Sequence, residues 1–197
     1  MRLPRVIRDF TRNQYVRDVI LFALLIGSFH YLYCYWASSG FYPFKAQVDA
    51  LFVSASRLLF EQTIWILDRF PDLHFYTRDQ TVYVLSRTGN VGYVAIEPGC
   101  TSLKQWLHWI FLMTIFPGPV RHKLWYIPSG LIIIHLINVT RTTGLALILA
   151  PWPEYFHYFH NYVFKGLFYF SIFCMWVIWN EFFNHKERVV SPLSSKN

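Results

Sequence analysis

Three residue types in the second half of the chain could attack a carbonyl, hold an anion or carry a proton. Cys100 follows Pro98-Gly99 and precedes Thr101-Ser102-Leu103-Lys104-Gln105. That break and run predict a helix opening at Cys100. Free N–H groups at a helix start favour an anion, and a thiolate is an anion. Lys104, one turn on, would add a cation, so the thiol reads as an activated nucleophile. Arg141 lies deep in an apolar run, roughly 25 Å from its start at about 1.5 Å per residue. An arginine at such depth costs about 2.5–3.5 kcal/mol on insertion scales and is usually functional. His135, Asn138 and Arg141 recur every third residue, with Thr142 beside them. They predict one polar helical face looking into a bundle. His157 and His160 are also three apart, and histidine exchanges a proton readily near neutral pH. The residues alone leave either histidine open as the proton carrier. A nucleophile, a fixed cation and a proton carrier together make acyl transfer through a thioester the chemistry to expect.

The elements that position these residues follow from composition. Of 197 residues, 54% are apolar, 20% aromatic and 15% charged. Soluble domains are about 45–50% apolar and about 25% charged. A disordered chain, a small disulfide scaffold and a soluble globule are therefore excluded in favour of a membrane protein with interfacial aromatics. Apolar runs at about 18–37, 100–116, 124–150 and 163–183 predict four crossings of a bilayer about 30 Å thick. The first has no cleavage-site pattern after it and reads as a retained span. Residues 46–67 are interrupted by Asp49, Ser54, Ser56, Arg57, Glu61 and Gln62. They predict an interfacial amphipathic helix. Residues 72–97 are β-branched and aromatic between turn residues. A small β-hairpin or sheet outside the bilayer is expected there.

Net charge is +7, and its placement sets orientation rather than a nucleic-acid footprint. Arg2, Arg5, Arg8, Arg12 and Arg17 precede the first apolar run, and Lys186, Arg188 and Lys196 follow the last. With these ends and the Arg121-His122-Lys123 turn in the cytoplasm, 38–98 and 151–162 lie outside. The expected organisation is a single all-α membrane bundle over 1–197. It comprises a cytoplasmic tail at 1–17, an extracytoplasmic β insertion at 72–97, catalytic helices at 100–183 and a second cytoplasmic tail at 184–197. Cys34 and Cys174 lie in apolar runs and read as small hydrophobes. No cofactor or metal is expected, because the histidines are scattered and lack HExxH spacing.

Three motifs in this order resemble the exosortase/archaeosortase family. Glu97-Pro98-Gly99-Cys100-Thr101-Ser102-Leu103 looks like its cysteine motif, and Asn138-Val139-Thr140-Arg141 like its Asn-x-x-Arg motif. His160, heading the last apolar run before Phe168-Tyr169 and Trp176, is similar to its third motif. The likeness covers about 90–183. It implies an integral-membrane cysteine protease or transpeptidase with Cys100, Arg141 and His160 as catalytic residues, Asn138, His157 and Lys104 standing nearby. It implies a multi-pass cell-membrane protein working at the extracytoplasmic face. Its partner would be an exported protein carrying a C-terminal sorting signal of short motif, transmembrane helix and basic tail. Thr101-Ser102 stands where Ser-Gly is common, which marks a divergent branch, and the strand-rich 72–97 segment marks a shorter subgroup.

Other chemistries fit less well. Pro128-Ser129-Gly130 with a later Arg and His hints at a membrane phosphatase, but Leu131 stands where that motif needs histidine. His30, His108, His135 and His157 could suggest a cofactor-binding scaffold, yet they fall at different depths. No cysteine has a nearby resolving partner for disulfide exchange, and no G-x-S-x-G element supports serine proteolysis.

Overall fold

The structure, a computed structural model, describes residues 14–86 and 89–184. Most of both basic tails, including Arg2, Arg5, Arg8, Arg12, Lys186, Arg188 and Lys196, lies outside the described residues. The order is α1 (Gln14–Ser38), α2 (Lys45–Leu67), β1 (Phe75–Arg78), β2 (Thr81–Leu85), β3 (Val91–Ala95), α3 (Leu103–Ile115), α4 (Val120–Leu149) and α5 (Phe164–Trp179). A helical turn, Phe156–Tyr158, and a π-helical segment, Phe159–Val163, lead into α5.

Four helical stretches are long and apolar enough to cross a membrane: Tyr15–Ser38, Lys45–Leu67, Val120–Leu149 and Pro153–Phe183. The number matches the sequence expectation but the set does not. Lys45–Leu67, expected at the interface, has the length and hydropathy of a span. Its Arg57–Glu61 ion pair, 3.2 Å, is exposed on one face. The 100–116 run instead yields a helix of thirteen residues, about 20 Å at 1.5 Å per residue. Its start is delayed by the Pro98–Cys100 3₁₀ turn and extended Thr101. Its end is cut by Pro117-Gly118-Pro119, which no helix continues through.

Two cores divide the molecule. In the bundle core, Trp109, Leu112 and Met113 of α3 and Phe116 just past its end pack on Ile134 of α4 and on Phe168, Ile172, Met175, Trp176 and Trp179. Lys123 Nζ donates to the carbonyls of Thr114 and Phe116, 3.1 and 2.7 Å, closing the end of α3. Trp179 Nε1 donates to Pro117 O at 3.2 Å and ties that turn to α5. The second core joins the sheet to the helices: Val82, Val84, Val94 and Ile96 meet Leu59 and Leu67 of α2 and Val139, Leu145, Ala146 and Leu149 of α4. The sheet is antiparallel in the order β1-β2-β3, with Phe75 opposite Val84 and Tyr83 opposite Tyr93. Its alternation (Val82 and Val84 buried, Tyr83 half-buried) is what a sheet with one covered face requires. Around both cores, Leu24, Tyr31, Leu32, Ile132, Leu136 and Phe170 stay exposed. Apolar side chains of that size at the surface mark a lipid-facing exterior.

Gly130 brings α4 close to the Trp109 ring of α3, since a Cβ there would collide with that indole. Trp109 is fully buried and donates to Ile127 O at 3.2 Å, so the ring has no room to retreat. Gly130→Val should destabilise the detergent-solubilised protein by about 1–3 kcal/mol, the usual cost of overpacking, read as a lowered thermal midpoint. Gly27→Ala, with nothing within 4 Å of the new Cβ, should leave that midpoint unchanged or raised.

Candidate active site

The polar residues of interest lie at the margin of the sheet core. Asn138, 1% exposed, donates from Nδ2 to the carbonyl of Cys100 at 3.0 Å. This bond pins the turn before α3 onto α4. One helical turn further along α4, Arg141 donates from Nη2 to Nε2 of His160 at 3.1 Å. Both residues of the Asn-x-x-Arg pair thus face the same neighbourhood, as a three-residue helical step demands.

Cys100, Arg141 and His160 line one cavity of about 490 Å³. Its other walls are β3 from Val91 to Ala95, Thr142, Leu145 and Leu149 of α4, and Pro153 and Phe156. That volume falls within the usual range for small-ligand and peptide sites. The Cys100 thiol donates weakly to Ala95 O at 3.6 Å. It also lies close enough to Arg141 for the two to interact electrostatically. Arg141 Nε is buried with no hydrogen-bond partner among the described residues. The guanidinium therefore keeps a donor unused beside the thiol.

His160 owes its direction to the π-helical segment. A π turn adds a residue to the helix and re-aims the side chains on it. The His160 ring stacks on Phe156, with centroids 5.9 Å apart and planes 5° apart. A guanidinium can only donate. Nε2 of His160 is therefore the acceptor, and in the neutral ring the proton sits on Nδ1.

Two expectations are corrected. Cys100 does not open a helix. It ends a 3₁₀ turn, its N–H donates to Glu97 O, and α3 starts three residues later behind Ser102. Its neighbouring cation is consequently Arg141, not Lys104. Lys104 turns towards α1, with Nζ 5.2 Å from the centre of the Tyr33 ring. His157 is exposed and outside the cavity lining. His135 pairs with Gln62 Oε1 of α2 at 2.8 Å, so it fixes α2 to α4 rather than joining Arg141. Asn138-Val139-Thr140 is buried at its asparagine and offers no accessible glycosylation site.

Sequence reasoning missed the cavity wall made by β3, the Ala95 carbonyl and the Phe156 stack. Phe156 stands four residues before His160, a spacing that a helical reading of 153–163 could have used. The chain matches no known family model, no curated protein and no solved structure.

The Arg141–His160 bond exists only while Nε2 is unprotonated. Nitrogen-15 spectra of His160 at neutral pH should therefore show the Nδ1–H tautomer, and Arg141→Gln should remove that bias. An Nε2–H tautomer in the wild-type protein would contradict the assignment.

Proposed function

We propose that this membrane protein is a cysteine peptidase or transpeptidase of the exosortase type. It cleaves C-terminal sorting signals of exported proteins at the extracytoplasmic face of the cell membrane. The observation that carries this reading is the common cavity of Cys100, Arg141 and His160. The three lie on separate elements and are far apart in sequence. Their convergence puts a nucleophile, a cation and a proton carrier in one place, as acyl transfer requires.

Proton transfer begins the reaction. His160 exchanges its Arg141 hydrogen bond for the Cys100 proton. The sulfur attacks the peptide carbonyl carbon, a C–S bond forms, and the carbonyl oxygen takes the negative charge. Arg141 donors stabilise that oxyanion. As the C–N bond breaks, His160 returns its proton to the departing amine. The remaining thioester is attacked by water, giving an acid, or by an acceptor amine, giving a new amide. In either case the attacking group loses its proton through His160 and the sulfur regains one. Asn138 acts as a positioning residue, because it holds the Cys100 backbone and touches no reacting atom.

A membrane phosphatase finds less support. Ser129 Oγ donates to Trp125 O at 2.8 Å. Twelve residues of α4 separate it from Arg141, about 18 Å at 1.5 Å per residue. A histidine-ligated cofactor is not favoured either. His108 bonds to Lys104 O, His135 to Gln62, and His157 is exposed.

Processing of a co-expressed tagged protein that ends in a short motif, an apolar helix and a basic tail tests the proposal. Cys100→Ala should abolish cleavage. Arg141→Ala and His160→Ala should each slow it by about 10²–10³-fold, the usual loss on removing an oxyanion donor or a general acid–base. His157→Ala should stay within about twofold of wild type, as expected of a side chain that neither stabilises the oxyanion nor moves a proton. Undiminished cleavage by the Cys100→Ala protein would overturn it.

A further inference from the structure

β3 is an edge strand, paired with β2 on one side only. The hydrogen-bond phase of that pairing is fixed at both ends. Ser86 N–H donates to Asn90 O at 2.7 Å, and Ile96 N–H donates to Gln80 O at 3.0 Å. Bonded pairs alternate with unbonded pairs in an antiparallel ladder. Within the register, Val82↔Val94 and Val84↔Gly92 are therefore the bonded pairs. Thr81↔Ala95, Tyr83↔Tyr93 and Leu85↔Val91 are the unbonded ones. Val91, Tyr93 and Ala95 consequently point their N–H and C=O groups away from β2. The Cys100 thiol on Ala95 O is an independent sign of that phase.

All five residues of this strand line the cavity that contains Cys100, Arg141 and His160. Val91 and Tyr93 are 51% and 64% exposed. No hydrogen bond among the described residues engages their outward backbone groups. A row of unused backbone donors and acceptors is a template for another strand. Here it ends at the sulfur. Across the gap stand Leu145, Leu149, Pro153 and Phe156, apolar walls suited to side chains of an extended chain.

We propose that the free edge of β3 docks an extended polypeptide segment, which joins the sheet as a fourth strand and is led by it to Cys100. This rests on the peptidase reading and specifies how its substrate is held. The recognition is mainly to the substrate backbone, and the bound segment is a strand, not a helix, at the point of cleavage. Side chains on alternate substrate residues meet the apolar wall. As the strand pairs, its N–H competes with the Cys100 thiol for Ala95 O and frees the sulfur.

The probes are acetyl-tetraalanine chloromethyl ketone and four analogues, each N-methylated at one amide. The thiolate displaces chloride, and mass spectrometry follows alkylation of Cys100 in the full chain in nanodiscs. Methylation at every second amide should slow alkylation by about fivefold to tenfold, with the intervening positions much less affected. Tyr93→Pro replaces one outward N–H by a ring carbon that obstructs an incoming strand, with no ladder bond lost, and should erase the alternation; comparison with Tyr93→Ala separates loss of the aromatic ring from obstruction of the edge. A uniform response to all four methylations, or an alternation that survives Tyr93→Pro, overturns the docking proposal. The unmethylated ketone tests the nucleophile separately. If Cys100 reacts no faster than Cys34 and Cys174, the peptidase reading fails. Docking is then decided by hydrogen exchange in the Cys100→Ala protein with acetyl-tetraalanine amide. Slowed exchange at Val91 and Tyr93 upholds docking, and unchanged exchange overturns it.

Discussion

A guanidinium inside an apolar helix has to be solvated by protein. Arg141 sits within the thirty residues of α4, among Val139, Leu145 and Ala146, all buried. The insertion cost of about 2.5–3.5 kcal/mol for such a residue falls only if other elements bring acceptors to it. Here the acceptor is the His160 ring, and a π-helical segment ahead of α5 is what delivers it. The same need explains why the Cys100 turn is bolted down by a buried amide. Were Asn138 absent, the Cys100 carbonyl would lose its partner, and an orphaned buried acceptor costs about 1–3 kcal/mol.

This requirement also accounts for the two cores. The bundle core is aromatic and sealed: Trp109, Trp176, Trp179 and Phe116 have essentially no exposed surface. The sheet core is aliphatic and sits against the far end of α4. Neither could accept a charge. The polar groups gather at the margin of the sheet core, and β3 forms one wall of the cavity there. Gly92 eases the approach of β3 to α4, because a Cβ would fall 2.8 Å from Leu149 Cδ2. A side chain in that place would have to push the Leu149 branch aside.

How much of this was legible in the sequence differs by element. The apolar runs were plain, because a bilayer fixes their length and α4 had to be long. The strands of 72–97 were visible through β-branched and aromatic residues, but their register and free edge were not, since pairing is non-local. α2 and α3 depart from expectation in opposite directions: α2 has the length and hydropathy of a span, and α3 runs to only thirteen residues. Scattered polar residues in 46–67 line faces that meet other elements, as Gln62 and Ser56 do. Pro98-Gly99 looked like a helix start, while the turn beyond it reset the phase by three residues. Lys104 was misdirected by that same slip, for its position was counted along a helix that does not include Cys100. The type and order of Cys100, Asn138, Arg141 and His160 were readable. The 3.1 Å bond between residues nineteen apart was not, because it depends on a π segment that no local pattern announced.

The resting contacts explain why such a centre need not be permanently reactive. Cys100 keeps its proton on Ala95 O, and His160 keeps Nε2 on Arg141. Each group is satisfied by a neighbour that is not its chemical partner. Under the proposed reading, both contacts compete with substrate. A backbone N–H arriving at the β3 edge takes Ala95 O, and the scissile carbonyl takes the Arg141 Nη2 donor that His160 holds at rest. Those two exchanges leave the thiol without an acceptor and the imidazole without a donor, and a hydrogen bond between them is then the cheapest way to satisfy both. Binding energy from the extended segment is thus realised partly as assembly of the nucleophile–base pair, which ties catalytic competence to occupancy of the strand site.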